Sequence, residues 1–346
     1  MDTTPRPVAI FDHVDAQRFT HEIRPLNRPA VLRGLVRDWP IVGRAAEGPA
    51  AVAGYLSGLA SGHDAKVLVG GPQIRGAFFY NDSLTGFNFK SFPQTPSFLL
   101  DWLVVHADRN AAAGECEAAV AQALVAPEHF PGFVEAHPLP LLDTGRDSGP
   151  APRLWIGNAA RTQTHYDTQL NIACNVSGRR RFTLFPPHCL PMLYPGPFDL
   201  TIGGTPVSLV DLDHPDHEAF PRFAEAWAQA EIADLEPGDA LYIPYMWWHH
   251  VRATGPLNVL VNYWWNEADP LLVSPYLPFY AALGALRGLP GDQRAAWAGL
   301  FDYYVFGREG DALAHIPPPA RGILSEHRGE DLERFKAFIR DGLGKM

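Results

Sequence analysis

The segment Thr162-Gln163-Thr164-His165-Tyr166-Asp167 places an imidazole and a carboxylate two positions apart. On a β-strand, side chains two apart point to the same face, so His165 and Asp167 can chelate one divalent metal side by side. A third ligand must come from elsewhere in the chain. The stretch from Gly238 to His250 offers one: a Gly-Asp turn starts an apolar strand, and Trp247 and Trp248 precede the pair His249 and His250. Two histidines and one carboxylate on one face leave three coordination positions open, the arrangement suited to non-haem Fe(II) oxygenases. Zinc prefers four tetrahedral ligands, and its catalytic sites more often use three histidines or two with Glu. An HxD pair alone is common, and a His-His pair beside Trp reads equally well as core packing. The combination points to a metal centre.

The sequence around these residues carries a resemblance. THYDTQLNIACNVSGRRRFTLFPP from Thr164, VDLDHPDHEAFPRF from Val210, LEPGDALYIPYMWWHHV from Leu235 and LVNYWW from Leu260 occur in the order found in the JmjC and cupin-like (cupin-8) oxygenases. AVLRGLVRDWP from Ala30 is a weaker echo. Within that family the chain most resembles the asparaginyl hydroxylase that inhibits hypoxia-inducible factor. The resemblance implies a double-stranded β-helix (jelly roll) that binds Fe(II) and 2-oxoglutarate and uses O2. It implies His165, Asp167 and His249 as the metal ligands, and His250 alternates to the opposite strand face. Thr162 and Arg180 would hold the distal carboxylate of 2-oxoglutarate, and Asn171, Asn262 and Trp264 would border the pocket.

Two departures from that pattern stand out. Arg180 replaces a lysine, and its fork still offers a permanent charge and bidentate geometry for a carboxylate. The hydroxylase also uses an upstream tyrosine on the same carboxylate, and residues 105–150 here contain none. Two other readings use the same residues. One is a cupin-like barrel that holds metal or a small ligand as a sensor or scaffold without turnover. The other is a cupin dioxygenase that needs no 2-oxoglutarate and gives Arg180 no role. Phe78, Tyr80 and Asn81 are candidates for a substrate entrance, with plain packing the preferred reading. The cluster Asp211, Asp213, His214, Asp216 and His217 reads as a loop rather than a second metal site.

The elements that must position these groups are short. The 33 prolines and 31 glycines are scattered, which favours many turns between short elements. Strands are predicted at 29–36, 66–69, 76–80, 154–156, 165–176, 181–185, 232–235, 240–243 and 259–264. Helices are predicted at 45–59, 97–106, 110–126, 278–287, 292–306 and 329–343. The fold class is mainly β with flanking helices: N-terminal α/β elements over 1–150, the barrel core over 151–268, and a C-terminal helical segment over 269–346. The last segment carries Leu277, Phe279, Tyr280, Leu283, Trp297, Leu300 and Phe301, more apolar surface than a short helix pair hides, so a homodimer is expected.

Composition narrows the function classes. The 346 residues carry 28 Lys and Arg against 38 Asp and Glu, a formal charge of −10, which makes nucleic acid an unlikely partner. Cys116, Cys174 and Cys189 are odd in number and lack CxxC spacing, so neither a disulfide framework nor a cysteine zinc site is expected. The N-terminus lacks the apolar run of a signal peptide, and no membrane span is expected. A cytoplasmic protein follows as the expectation. The candidate substrates are a protein side chain, a peptide, a modified RNA base and a small molecule, and the same chemistry serves hydroxylation and demethylation.

Overall fold

A computed structural model of the chain describes residues 4–107, 117–142, 149–267, 275–308, 310–324 and 330–343. The chain divides into two compact units, Met1–Asn266 and Glu267–Met346. Cys116 lies outside the described residues.

The first unit is built on β1 (Arg6–Pro7), β2 (Ala9–Asp12), β3 (Ala30–Arg33), β4 (Ala65–Gly70), β5 (Ala77–Phe78), β6 (Lys90–Gln94), β7 (Ala118–Val125), β8 (Arg153–Gly157), β9 (Ala160–His165), β10 (Leu170–Phe185), β11 (Glu231–Leu235), β12 (Ala240–Ile243) and β13 (Trp248–Trp265). The spine is the antiparallel pair β10 and β13, in register from Leu170 opposite Trp265 to Phe185 opposite Trp248. Both strands are long enough to serve two layers. The first half of β10 pairs with β12 and the second with β11. The first half of β13 pairs with β9 and the second with β8. One layer therefore runs β2-β3-β12-β10-β13-β8-β7-β4-β6, and the other brings β1, β11, β9 and β5 onto the same spine. Strands shared between two layers make the expected cupin jelly roll.

Alternation along the spine sorts the core. Ile172 and Cys174 on β10, Tyr242 on β12 and Val259 and Val261 on β13 face outward, where helices Pro40–Glu47, Pro49–Leu59 and Pro96–Val105 cover them with Ile41, Val52, Leu56 and Leu100. Ala173, Leu241, Ile243 and Leu260, one residue out of phase, face the barrel interior beside Phe182, Leu184, Leu235, Trp247 and Val251. This period of two is what the β-branched and aromatic runs of 153–266 encode.

Three local expectations change. The Ala-rich stretch predicted as a helix over 110–126 is a strand over its described part, Ala118–Val125, hydrogen-bonded to both β4 and β8. Two sheet partners outweigh the modest helix preference of alanine, and small side chains let Ala119 and Ala121 pack flat under the covering helices. The single helix over 45–59 is two, broken where Gly48 adopts φ +116° and Pro49 starts the next helix. The strand over 165–176 is interrupted between β9 and β10 by residues 166–169.

The second unit contains helices Tyr276–Leu286, Gly291–Tyr304 and Glu330–Leu343. The first two bury no residue, and Leu277, Phe279, Tyr280, Leu283, Trp297 and Leu300 are exposed. Among the described residues no helix is long and apolar enough to cross a membrane.

Candidate metal centre

His165 ends β9, Asp167 sits in the turn that follows, and His249 opens β13 directly opposite His165 in the ladder. Their ligand atoms all lie within 4.8 Å of one another, and no other such group occurs among the described residues. The His249 Nε2 atom is 3.7 Å from Asp167 Oδ2, and the two imidazole rings stand 4.3 Å apart.

Each histidine is oriented by its own strand. The Nδ1 of His165 lies 2.8 Å from the Gln163 carbonyl, and the Nδ1 of His249 lies 3.0 Å from that of Trp247. A carbonyl only accepts, so each Nδ1 carries the proton and each Nε2 keeps its lone pair for the shared space. Burial and the neighbouring His165 pull the His249 pKa down to about 4, which keeps the ring in the neutral form a metal requires. Asp167 Oδ2 accepts from Trp264 Nε1 at 3.0 Å and from Asn171 Nδ2 at 3.3 Å. Asn262 Nδ2 in turn donates to Asn171 Oδ1 at 2.7 Å. The turn over the site is strained: Met246, at φ +59°, donates its N–H to the Asp167 carbonyl.

His250 points away, as alternation requires. It is buried toward Asp213, Arg252 and Arg161, and burial lowers its pKa to about 4. Asp213 pairs with both Arg161 and Arg252, and Asp211 lies 3.5 Å from Arg161. These ion pairs tie the 208–213 loop to β9, with the Gln163 amide donating to the Ser208 and Val210 carbonyls.

Beside the triad is a narrow cavity lined by Trp155, Thr162, His165, Asp167, Asn171, Arg180, Phe182, His249, Val251, Leu260, Asn262 and Trp264. All eight residues singled out from the sequence meet there. Two irregularities bring this about. Thr162 and His165 are three apart and would face opposite sides of a regular strand, but the β9 register shifts between them. Asn171 and Arg180 are nine apart, and β10 shifts register twice between Asn175 and Arg179. Gly178 sits in that bulge at φ +72°, where a Cβ would collide with the Asn258 side chain. Counting along the chain relates Asn171 to His165 as if they shared one strand; they lie on β10 and β9, and the barrel reunites them.

Arg180 differs in kind from its neighbours. Arg179 pairs with Glu236 and Arg181 with Asp234, both outside, whereas Arg180 is buried and its Nε has no partner. Burial, with no carboxylate among the described residues to offset it, lowers its pKa to about 9. A buried guanidinium without a counter-charge is costly and calls for an anionic ligand. The donor set fits a divalent metal with open positions, and the unpaired Arg180 fits the far carboxylate of a small dicarboxylate. Phe78 and Tyr80 are instead packing residues, the first against Leu68 and Ile74, the second donating its hydroxyl to the Leu200 carbonyl; Asn81 caps the 81–86 turn.

Trp155 and Gln163 were not legible as site residues. Trp155 could have been placed by alternation against Leu154 and Ile156; Gln163 orients His165 through its carbonyl and holds the 208–213 loop through its amide, and no motif signals either.

The description of the cupin-like domain matches residues 16–270, well over half of the chain. This chain belongs to the cupin-like domain family. The cupin-like chain is 39% identical over 114 residues to a lysine-specific demethylase, JMJ31, of Arabidopsis thaliana, a match covering 33% of this chain and 20% of that protein. It is 36% identical over 121 residues to HSPB1-associated protein 1 of Homo sapiens, covering 34% and 24%. These alignments span only a quarter or less of either relative. A longer match, 26% identical over 327 residues, joins 84% of this cupin-like chain to 89% of tRNA wybutosine-synthesizing protein 5 of Danio rerio.

Proposed function

We propose that this chain is an Fe(II)- and 2-oxoglutarate-dependent oxygenase, acting as a hydroxylase. The observation that carries this reading is one cavity holding both a two-histidine, one-carboxylate triad and a buried, unpaired arginine. Bound together, Fe(II) and 2-oxoglutarate supply O2 activation coupled to decarboxylation of the oxo acid to succinate. His165, Asp167 and His249 would hold the metal, and Arg180 with Thr162 the distal carboxylate. Asn171, Asn262 and Trp264 keep the metal-facing carboxylate in place, and Phe182, Val251 and Leu260 exclude water. The finer resemblance to the asparaginyl hydroxylase rests on these shared positions, with Arg180 in place of lysine.

The substrate is proposed as a protein, a peptide or a small molecule, with demethylation open to the same chemistry. The alignment over most of the chain, to a protein named for tRNA wybutosine synthesis, adds a modified tRNA base to the substrates worth assaying. The formal charge of −10 weighs against that class. A cytoplasmic location agrees with Cys174 and Cys189 being free and buried. We also propose that the helices of the second unit pair two copies of the chain.

The test is succinate formation from 2-oxoglutarate by the Fe(II)-loaded protein, with His165→Ala as control. Fe(II)-dependent succinate lost in the variant supports the oxygenase. Metal binding with no turnover on any substrate class supports the sensor or scaffold reading.

A further inference from the structure

Of the two indoles that face the cavity, Trp264 is committed, its N–H going to Asp167. Trp155 is not. Its Nε1 is buried without an acceptor among the described residues, and the residue lines the same cavity as Arg180. An indole N–H only donates, and a buried donor left unmade costs most of its desolvation, so its position calls for an acceptor supplied from outside the chain. The ring is also fixed. Trp155 alternates with Leu154 and Ile156, both in the outer core, and meets Trp264 edge-on at 6.2 Å and 80°. The Arg153 guanidinium lies 5.9 Å from the Trp264 ring centre.

Among the described residues lining this cavity, the buried donors without acceptors are thus Arg180 Nε and Trp155 Nε1, and Asn262 Oδ1 is the acceptor without a donor. The excess of donors suits an anion. The chain also lacks a tyrosine across 105–150 to share the load on Arg180. We propose that the Trp155 indole N–H is a further donor, beside Thr162, to the carboxylate held by Arg180, completing the 2-oxoglutarate anchor from β8. This rests on the 2-oxoglutarate reading and adds to it a residue that no motif marks.

The experiment is direct calorimetric titration of 2-oxoglutarate into the Fe(II)-loaded protein under anaerobic conditions, with metal content measured on the same samples. Trp155→Phe keeps a ring and removes the donor; its 2-oxoglutarate Kd should rise about tenfold, the effect of one hydrogen bond to a charged group, with metal content unchanged. Trp155→Tyr, which restores a donor, should recover part of the loss. Unchanged affinity in Trp155→Phe overturns the proposal while leaving the oxygenase reading in place. Equal losses in both variants, or loss of metal with affinity, make Trp155 a packing residue and overturn it too. Wild-type protein that binds Fe(II) but no 2-oxoglutarate overturns the underlying reading itself.

Discussion

Asp167 is held in place through one oxygen. Oδ2 is held by Trp264 and Asn171, while among the described residues no hydrogen bond to Oδ1 is formed by the protein. Trp264→Phe and Asn171→Ala should therefore leave the fold intact and weaken Fe(II) binding roughly 10- to 100-fold, as loss of outer-shell partners does. His165→Ala and Asp167→Ala should lose the metal outright, whereas His250→Ala should keep it, since His250 lies on the far strand face. Metal content after anaerobic purification checks all five; a His250 variant that loses metal while His249→Ala retains it would reverse the ligand assignment. The buried histidines also make a pH prediction. His249 and His250 are held near 4 in the fold, against 6.5 for a free histidine, so between these values the unfolded chain binds more protons. Stability of the metal-free protein should be full above about pH 6.5 and fall steadily toward pH 4. Urea midpoints at pH 7.5 and pH 5 measure this, and His250→Gln should flatten the slope.

At the scale of the element, the bulge in β10 matters more than the strand itself. It turns Arg180 inward between two arginines whose partners lie outside. Gly178→Ala places a Cβ against Asn258 in a left-handed backbone and should destabilise the fold by about 1–3 kcal/mol. Thermal melts read the stability, and 2-oxoglutarate titration should show weakened binding as the bulge relaxes. Arg180→Ala should weaken 2-oxoglutarate at least about tenfold through loss of a charge-assisted pair, and Arg180→Lys should be milder. An Arg180→Ala protein with wild-type affinity would move the anchor elsewhere.

At the scale of the molecule, the second unit is the anomaly, because helices that bury nothing within a described structure have apolar faces to cover. The expected outcome is a dimer by light scattering at micromolar concentration, with Leu283→Glu and Trp297→Glu shifting it toward the 38.1 kDa monomer. A wild-type mass at the monomer value would refute it.

What sequence alone determined here is local chemistry and its order along the chain. The HxD spacing, the His-His pair, the triple arginine and the alternating runs of 153–266 are properties of neighbouring residues, and local geometry alone turns them into faces and candidate ligands, with Asp167 in the turn after β9 rather than on the strand. Alternation even identified His250 as facing away. What only the tertiary structure decided is whatever depends on a partner strand. The Ala-rich 118–125 segment is a strand because β4 and β8 flank it, and no property of alanine announces that. Thr162 and Arg180 reach the cavity through register shifts that a strict period of two contradicts, since a bulge is defined by two strands together. Trp155 becomes a candidate anchor for the same reason: its unmet N–H exists only once the barrel has closed around it and excluded water.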